Sequence, residues 1–102
     1  MSDFLKIASL SDVPSGKMKG FVVSGKKVLV VNLNGKLYAV SSLCTHVGGP
    51  LDKGTLENNV VTCPWHGSKF DVITGAVVNG PANKGIEKFE LKVEGKDILI
   101  KL

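Results

Sequence analysis

Every cysteine and histidine in this chain falls in one constellation, Cys44-Thr-His46 followed by Cys63-Pro-Trp-His66, a C-x-H-x16-C-x2-H pattern. Two thiols and two imidazoles on a pair of short segments make a four-ligand metal set. Two occupants suit it. A structural zinc would take Cys2His2 in a tetrahedron. A [2Fe–2S] cluster would take two cysteines on one iron and two histidines on the other. Each segment supplies one residue of each kind, so both must reach a cluster side by side, each giving a Cys inward and a His outward. Zinc sites more often use C-x2-C and H-x3–5-H pairs, and the C-x-H spacing is unusual among them.

The elements that must position these segments read as β throughout. Phe4-Leu-Lys-Ile-Ala8 predicts a first strand, ended by the turn cluster Ser11 to Gly16. Phe21-Val-Val23 and Lys27 to Leu33 are β-branched runs separated by Ser24-Gly25. Asn34-Gly35 then sits between two apolar runs, a strong hairpin signal because a type I′ turn needs positive φ at both positions. Lys36 to Ser41 is the return strand and delivers the chain to Cys44. Val60-Val-Thr62 leads into Cys63, and Phe70-Asp-Val72 leads away. Near the end, Glu87 to Val93 alternates, putting Phe89, Leu91 and Val93 on one expected core face, and the chain turns at Glu94-Gly95 to return as Ile98 to Ile100. No window gives a convincing amphipathic helix. Residues 41–82 are richer in Gly and Pro than the flanks, as expected of a loop-built module mounted on antiparallel strands.

Cys44-Thr-His46-Val-Gly-Gly-Pro50 and Cys63-Pro-Trp-His66-Gly-Ser-Lys-Phe-Asp71 resemble the two cluster-binding boxes of Rieske proteins. Gly80-Pro81-Ala82 is similar to the proline loop that covers the cluster in that family, and the likeness spans nearly the whole chain. The resemblance implies an all-β Rieske fold: a small antiparallel β-sandwich base with a two-loop cluster-binding subdomain, about 41–82, inserted in a single domain, 1–102. It implies one [2Fe–2S] cluster per chain, with Cys44 and Cys63 on the inner iron and His46 and His66 on the outer iron near the surface. Two thiolates leave such an oxidised cluster neutral, where four would leave it a dianion. At ~5 Å and an effective dielectric of ~20, each removed charge is worth ~3 kcal/mol, on the order of 0.3 V for the pair, in line with the known contrast between Rieske and plant-type centres.

Around the ligands, Ser68 falls where high-potential Rieske proteins have a serine bonded to a cluster sulfur; a turn serine bonded to its own backbone is the competing reading. Their partner tyrosine is replaced by Phe70, which reads as core packing beneath the loop. Trp65 either covers the cluster edge or packs the loop, and Pro81 reads as part of the lid. Gly48, Gly49 and Gly67 allow positive φ or close backbone approach. The respiratory branch of the family carries a further cysteine in each box, joined as a disulfide. The matching positions here are Gly49 and Trp65, which suits a reducing cytoplasm.

At 102 residues, 43% hydrophobic and 22% charged, the chain is sized for one globular domain. It has no apolar run of roughly 18 residues that could span a membrane, and Met1-Ser-Asp-Phe-Leu-Lys6 lacks the pattern of a signal peptide. A cytoplasmic monomer is therefore expected. No nucleophile–base pair, phosphate loop or nucleic-acid motif is visible. The expected role is a soluble one-electron carrier between a reductase and an oxygenase or similar acceptor, its partners being redox proteins. Two other classes stay open at this point: a small Rieske-like subunit of a nitrite reductase, and a zinc-stabilised Cys2His2 binding module. The net charge of +4 departs from the acidity common among oxygenase ferredoxins.

Overall fold

The computed structural model describes residues 4–42, 51–65, 67–80 and 85–101. Ten strands run in chain order: β1 (Leu5–Ser9), β2 (Met18–Val23), β3 (Lys26–Leu33), β4 (Lys36–Ser41), β5 (Thr55–Glu57), β6 (Val60–Thr62), β7 (Lys69–Asp71), β8 (Val77–Asn79), β9 (Lys88–Glu94) and β10 (Asp97–Lys101). Two single turns of 3-10 helix, Leu10–Asp12 and Leu51–Lys53, complete the elements. All strand pairs are antiparallel and fall into two sheets, β1-β10-β9-β4-β3-β2 and β5-β6-β7-β8.

The centre of the base is β3, whose run Val28-Leu-Val-Val31 is wholly buried on both faces. An uninterrupted apolar run is what a strand covered on both sides requires. One face, Val28 and Val30, packs on Ala39 and on Ile98 and Ile100 of β10, so the six-stranded sheet folds back over itself as a small sandwich. The other face, Leu29 and Val31, packs with Val40 against Val61 and Phe70 of the second sheet and against Leu51, Cys63 and Val72 beside it. The hairpin between β3 and β4 turns at Asn34 and Gly35 with φ of 54° and 90°, as a type I′ turn demands. Lysines cap the base phenylalanines: Lys19 over Phe21, Lys26 over Phe89 and Lys92 over Phe4, each within 5.7 Å of the ring centre.

Two expectations are corrected. The Gly- and Pro-rich middle of the chain is not loop alone, since 55–79 builds a four-stranded sheet of three-residue strands. Phe89 and Leu91 pack against the core, but Val93 is 45% exposed. β9 meets β4 only at Ala39↔Phe89 and Val40↔Lys88, and its far end, with Val93, is paired with β10 alone.

Candidate metal centre

Of the four expected ligands, Cys63 lies among the described residues; Cys44, His46 and His66 lie outside them, as do Gly48, Gly49, Pro81 and Lys84. The second box can therefore be built from its backbone. Strand β6 ends at Thr62, and the chain reverses into β7 through Cys63 to Ser68. The Cys63 amide donates to the Ser68 carbonyl at 2.8 Å, and the Gly67 amide donates to the Cys63 carbonyl at 3.1 Å. Gly67 has φ +76°, a left-handed conformation that side chains disfavour and that this reversal needs.

The turn has two sides. Cys63 points in: it is 2% exposed, its thiol is free, and it packs with Leu51, Val61 and Phe70. Ser68 is fully buried, and so is Phe70, which fills the core as expected. Trp65 points out and is 56% exposed. A buried, unbridged cysteine at the root of a tight turn offers a thiolate ligand a fixed sulfur and little competing water. The described donor and its surroundings thus fit an iron–sulfur ligand.

Of the two other excursions, the first is rooted in the same way, and the second is tied back across β8. The segment 43–50, which carries Cys44 and His46, leaves from Ser42 and returns at Leu51, whose amide donates to the Ser42 carbonyl at 2.7 Å. Ser42 is itself pinned to the base, its amide donating to the Lys27 carbonyl of β3 at 3.0 Å. The segment 81–84, the expected lid, follows β8 and leads to Ile86, whose amide donates to the Gly75 carbonyl at 2.8 Å. The backbones of Gly75 and Gly85 lie so close that a Cβ on either would strike a carbonyl oxygen.

Residues 3–90 match the family model described as the Rieske [2Fe-2S] domain. The chain belongs to the Rieske [2Fe–2S] domain family. This Rieske protein is 33% identical over 100 residues to the ferredoxin component of the naphthalene 1,2-dioxygenase/salicylate 5-hydroxylase systems of a Ralstonia species, across 98% of this chain and 96% of the relative. Its fold matches the ferredoxin of carbazole 1,9a-dioxygenase from Nocardioides aromaticivorans IC177 with a TM-score of 0.93 at 32% identity, covering 98% of each chain. It also matches a chain in the complex of reduced oxygenase and oxidized ferredoxin in carbazole 1,9a-dioxygenase, with a TM-score of 0.91 at 29% identity, covering 97% of this chain and 93% of that one. The Rieske protein is an electron carrier with a [2Fe–2S] cluster, and not a catalyst by itself. These likenesses favour neither the zinc module nor the nitrite reductase subunit. Among the described residues no helix is long and apolar enough to cross a membrane.

The grouping of Gly20, Ser42, Asp52 and Gly54 around the turn at Leu51–Lys53 escapes sequence reasoning. Ser42 and Asp52 are ten residues apart in no recognisable motif, and a strand glycine such as Gly20 announces close approach without naming what approaches.

Proposed function

We propose that this Rieske protein passes single electrons from a reductase to an oxygenase or similar acceptor, with one cluster per chain held by Cys44, His46, Cys63 and His66. When bound, the cluster supplies a centre that accepts and releases one electron. Cys44 and Cys63 are assigned to the inner iron, His46 and His66 to the outer. The observation that carries the reading is the sidedness of the second box. Cys63 is buried and free while Trp65, two residues on, is more than half exposed. Such a turn supports an inward cysteine and an outward histidine from one C-P-W-H segment.

The chain's own residues then have separable tasks. Leu51, Val61 and Phe70 form an apolar floor that keeps water from Cys63. Gly67 and the Cys63–Ser68 bond hold the turn in shape. Trp65 offers an apolar docking surface beside the histidine edge. The acceptor class rests on the relatives named as ferredoxin components of dioxygenase systems. The reading also takes the chain as one domain, 1–102, with a cluster-binding part at about 41–82, acting as a cytoplasmic monomer.

The test is an EPR spectrum of the dithionite-reduced protein beside iron and acid-labile sulfide analysis. A Rieske-type signal with equal iron and sulfide is expected. A colourless zinc protein, or a spectrum of an all-cysteine cluster, would reject the ligand assignment.

A further inference from the structure

The turn that follows the first box, Leu51–Lys53, touches both sheets. Leu51 is wholly buried beside Cys63 and Phe70. Gly54 donates its amide to the Leu51 carbonyl at 3.0 Å, and its Cα lies so near β6 that a Cβ would collide with the carbonyl oxygen of Thr62, the residue before Cys63. On the other side the turn reaches the base through Asp52. Its Oδ1 accepts a hydrogen bond from Ser42 Oγ at 3.2 Å. The same side chain lies over Gly20 of β2, where a Cβ would stand 2.7 Å from Oδ2 and 2.9 Å from the Asp52 Cβ.

Gly20 needs this explanation. It sits inside a strand, and it is not among the glycines with positive φ. A glycine there weakens the strand unless something must come close. What comes close is Asp52.

Ser42 and Asp52 flank the first ligand segment on its two sides. The backbone bond from Leu51 to Ser42 closes that segment with a single attachment. The Asp52–Ser42 bond adds a second point of attachment, and the notch at Gly20 a third. Ser42 is 3% exposed and fixed to β3, so the attachment is to the base itself. Because Gly54 abuts Thr62, the end of the same turn is registered against the strand that leads into Cys63.

We propose that Asp52 is a positioning residue for the first ligand segment: seated in the notch at Gly20 and bonded to Ser42, it sets how that segment meets the turn of Cys63. The proposal rests on the assignment of Cys44 and His46 as ligands. Lys27 and Lys53 line the same groove, of about 250 Å3, yet the contact with Ser42 requires only an acceptor oxygen. An asparagine should therefore serve where an alanine fails.

The experiment compares holoprotein with Asp52→Ala, Asp52→Asn, Ser42→Ala, Gly20→Ala and the double variant Asp52→Ala/Ser42→Ala. Three properties are read: the EPR and visible CD spectra of the cluster, its rate of bleaching in excess chelator, and thermal unfolding by far-UV CD. Asp52→Ala, Ser42→Ala and Gly20→Ala should each alter the cluster spectra and speed bleaching by about three- to tenfold, the change expected from one lost hydrogen bond. Asp52→Asn should stay close to the parent. The double variant should be no worse than either single one, since both remove the same interaction. An Asp52→Ala protein with parental spectra and bleaching overturns the proposal, even if it melts earlier. So does an Asp52→Asn protein as impaired as Asp52→Ala, or full additivity in the double variant. A parent protein without the Rieske signal would instead overturn the ligand assignment before any variant is compared.

Discussion

Ser68 faces Cys63 across the second box, its carbonyl holding the Cys63 amide at 2.8 Å while both side chains are buried. The family resemblance implies that the Ser68 hydroxyl donates to a cluster sulfur. Such a bond to an anionic acceptor is worth about 1.5–3 kcal/mol, or about 60–130 mV for one electron. Ser68→Ala should lower the reduction potential by that order, and Phe70→Tyr should raise it if the new hydroxyl reaches the cluster. Protein-film voltammetry of both variants checks this. A potential that moves in neither leaves Ser68 as a backbone-bonded turn residue and Phe70 as core alone.

The ligand assignment makes a sharper demand. Cys63→Ser and Cys44→Ser should abolish cluster assembly, since each removes one of two thiolates on the inner iron. His46→Ala and His66→Ala should leave the cluster absent or labile. Iron and sulfide content reads the result. A fully loaded His66→Ala protein with an unaltered EPR spectrum would remove His66 from the site.

Gly54 admits no side chain against Thr62, and the opposing atom is a carbonyl oxygen, which cannot swing aside as a flexible side chain would. Gly54→Ala should destabilise the protein by about 1–3 kcal/mol, the usual cost of forced overpacking. Chemical denaturation should show this as a lowered midpoint with an unchanged slope. A midpoint equal to that of the parent would mean that β6 yields more readily than its core contacts imply.

Docking should respond to salt. Lys69 is exposed on β7, opposite Thr62, at the end of the second sheet nearest the Cys63 turn. Asp52 takes the Ser42 hydroxyl and Asp71 the amides of Ile73 and Thr74, while Glu57 lines the same groove as Lys69. If a basic tip steers the partner, electron-transfer rates should fall as ionic strength rises and the Debye length shrinks from about 10 Å at 0.1 M. Lys69→Glu should slow transfer more at low salt than at high salt, with the potential nearly unchanged. Stopped-flow rates that ignore salt, or rise with it, would point to apolar docking at Trp65.

What could be read in advance depended on whether the information was local. Asn34-Gly35 declared its turn because positive φ at two successive positions is a property of those residues. The run Val28 to Val31 declared a buried strand for the same reason. By contrast β5 and β8 are three residues long, too short to show a period of two, and exist because β6 and β7 offer edges to pair with. Asn58, with φ 54°, carried the only local hint of the β5–β6 turn. The metal-binding residue types stood out because there are so few of them. The carboxylate that ties their first segment to the base did not, because an aspartate ten residues from a serine looks like any surface pair until the fold brings them together.

The closed roots have an evolutionary consequence. Two excursions come back to the scaffold where they left it, 43–50 through the backbone bond of Ser42 and Leu51 and the turn at 63–68 through that of Cys63 and Ser68. Apart from Cys63 and Ser68, which are buried at the root of their turn, substitutions within these excursions should leave the double-faced packing of β3 undisturbed. Redox tuning and partner choice can drift at the tip while the sandwich below stays constant, and segments from distant relatives should be exchangeable as cassettes if the cuts fall at those two bonds.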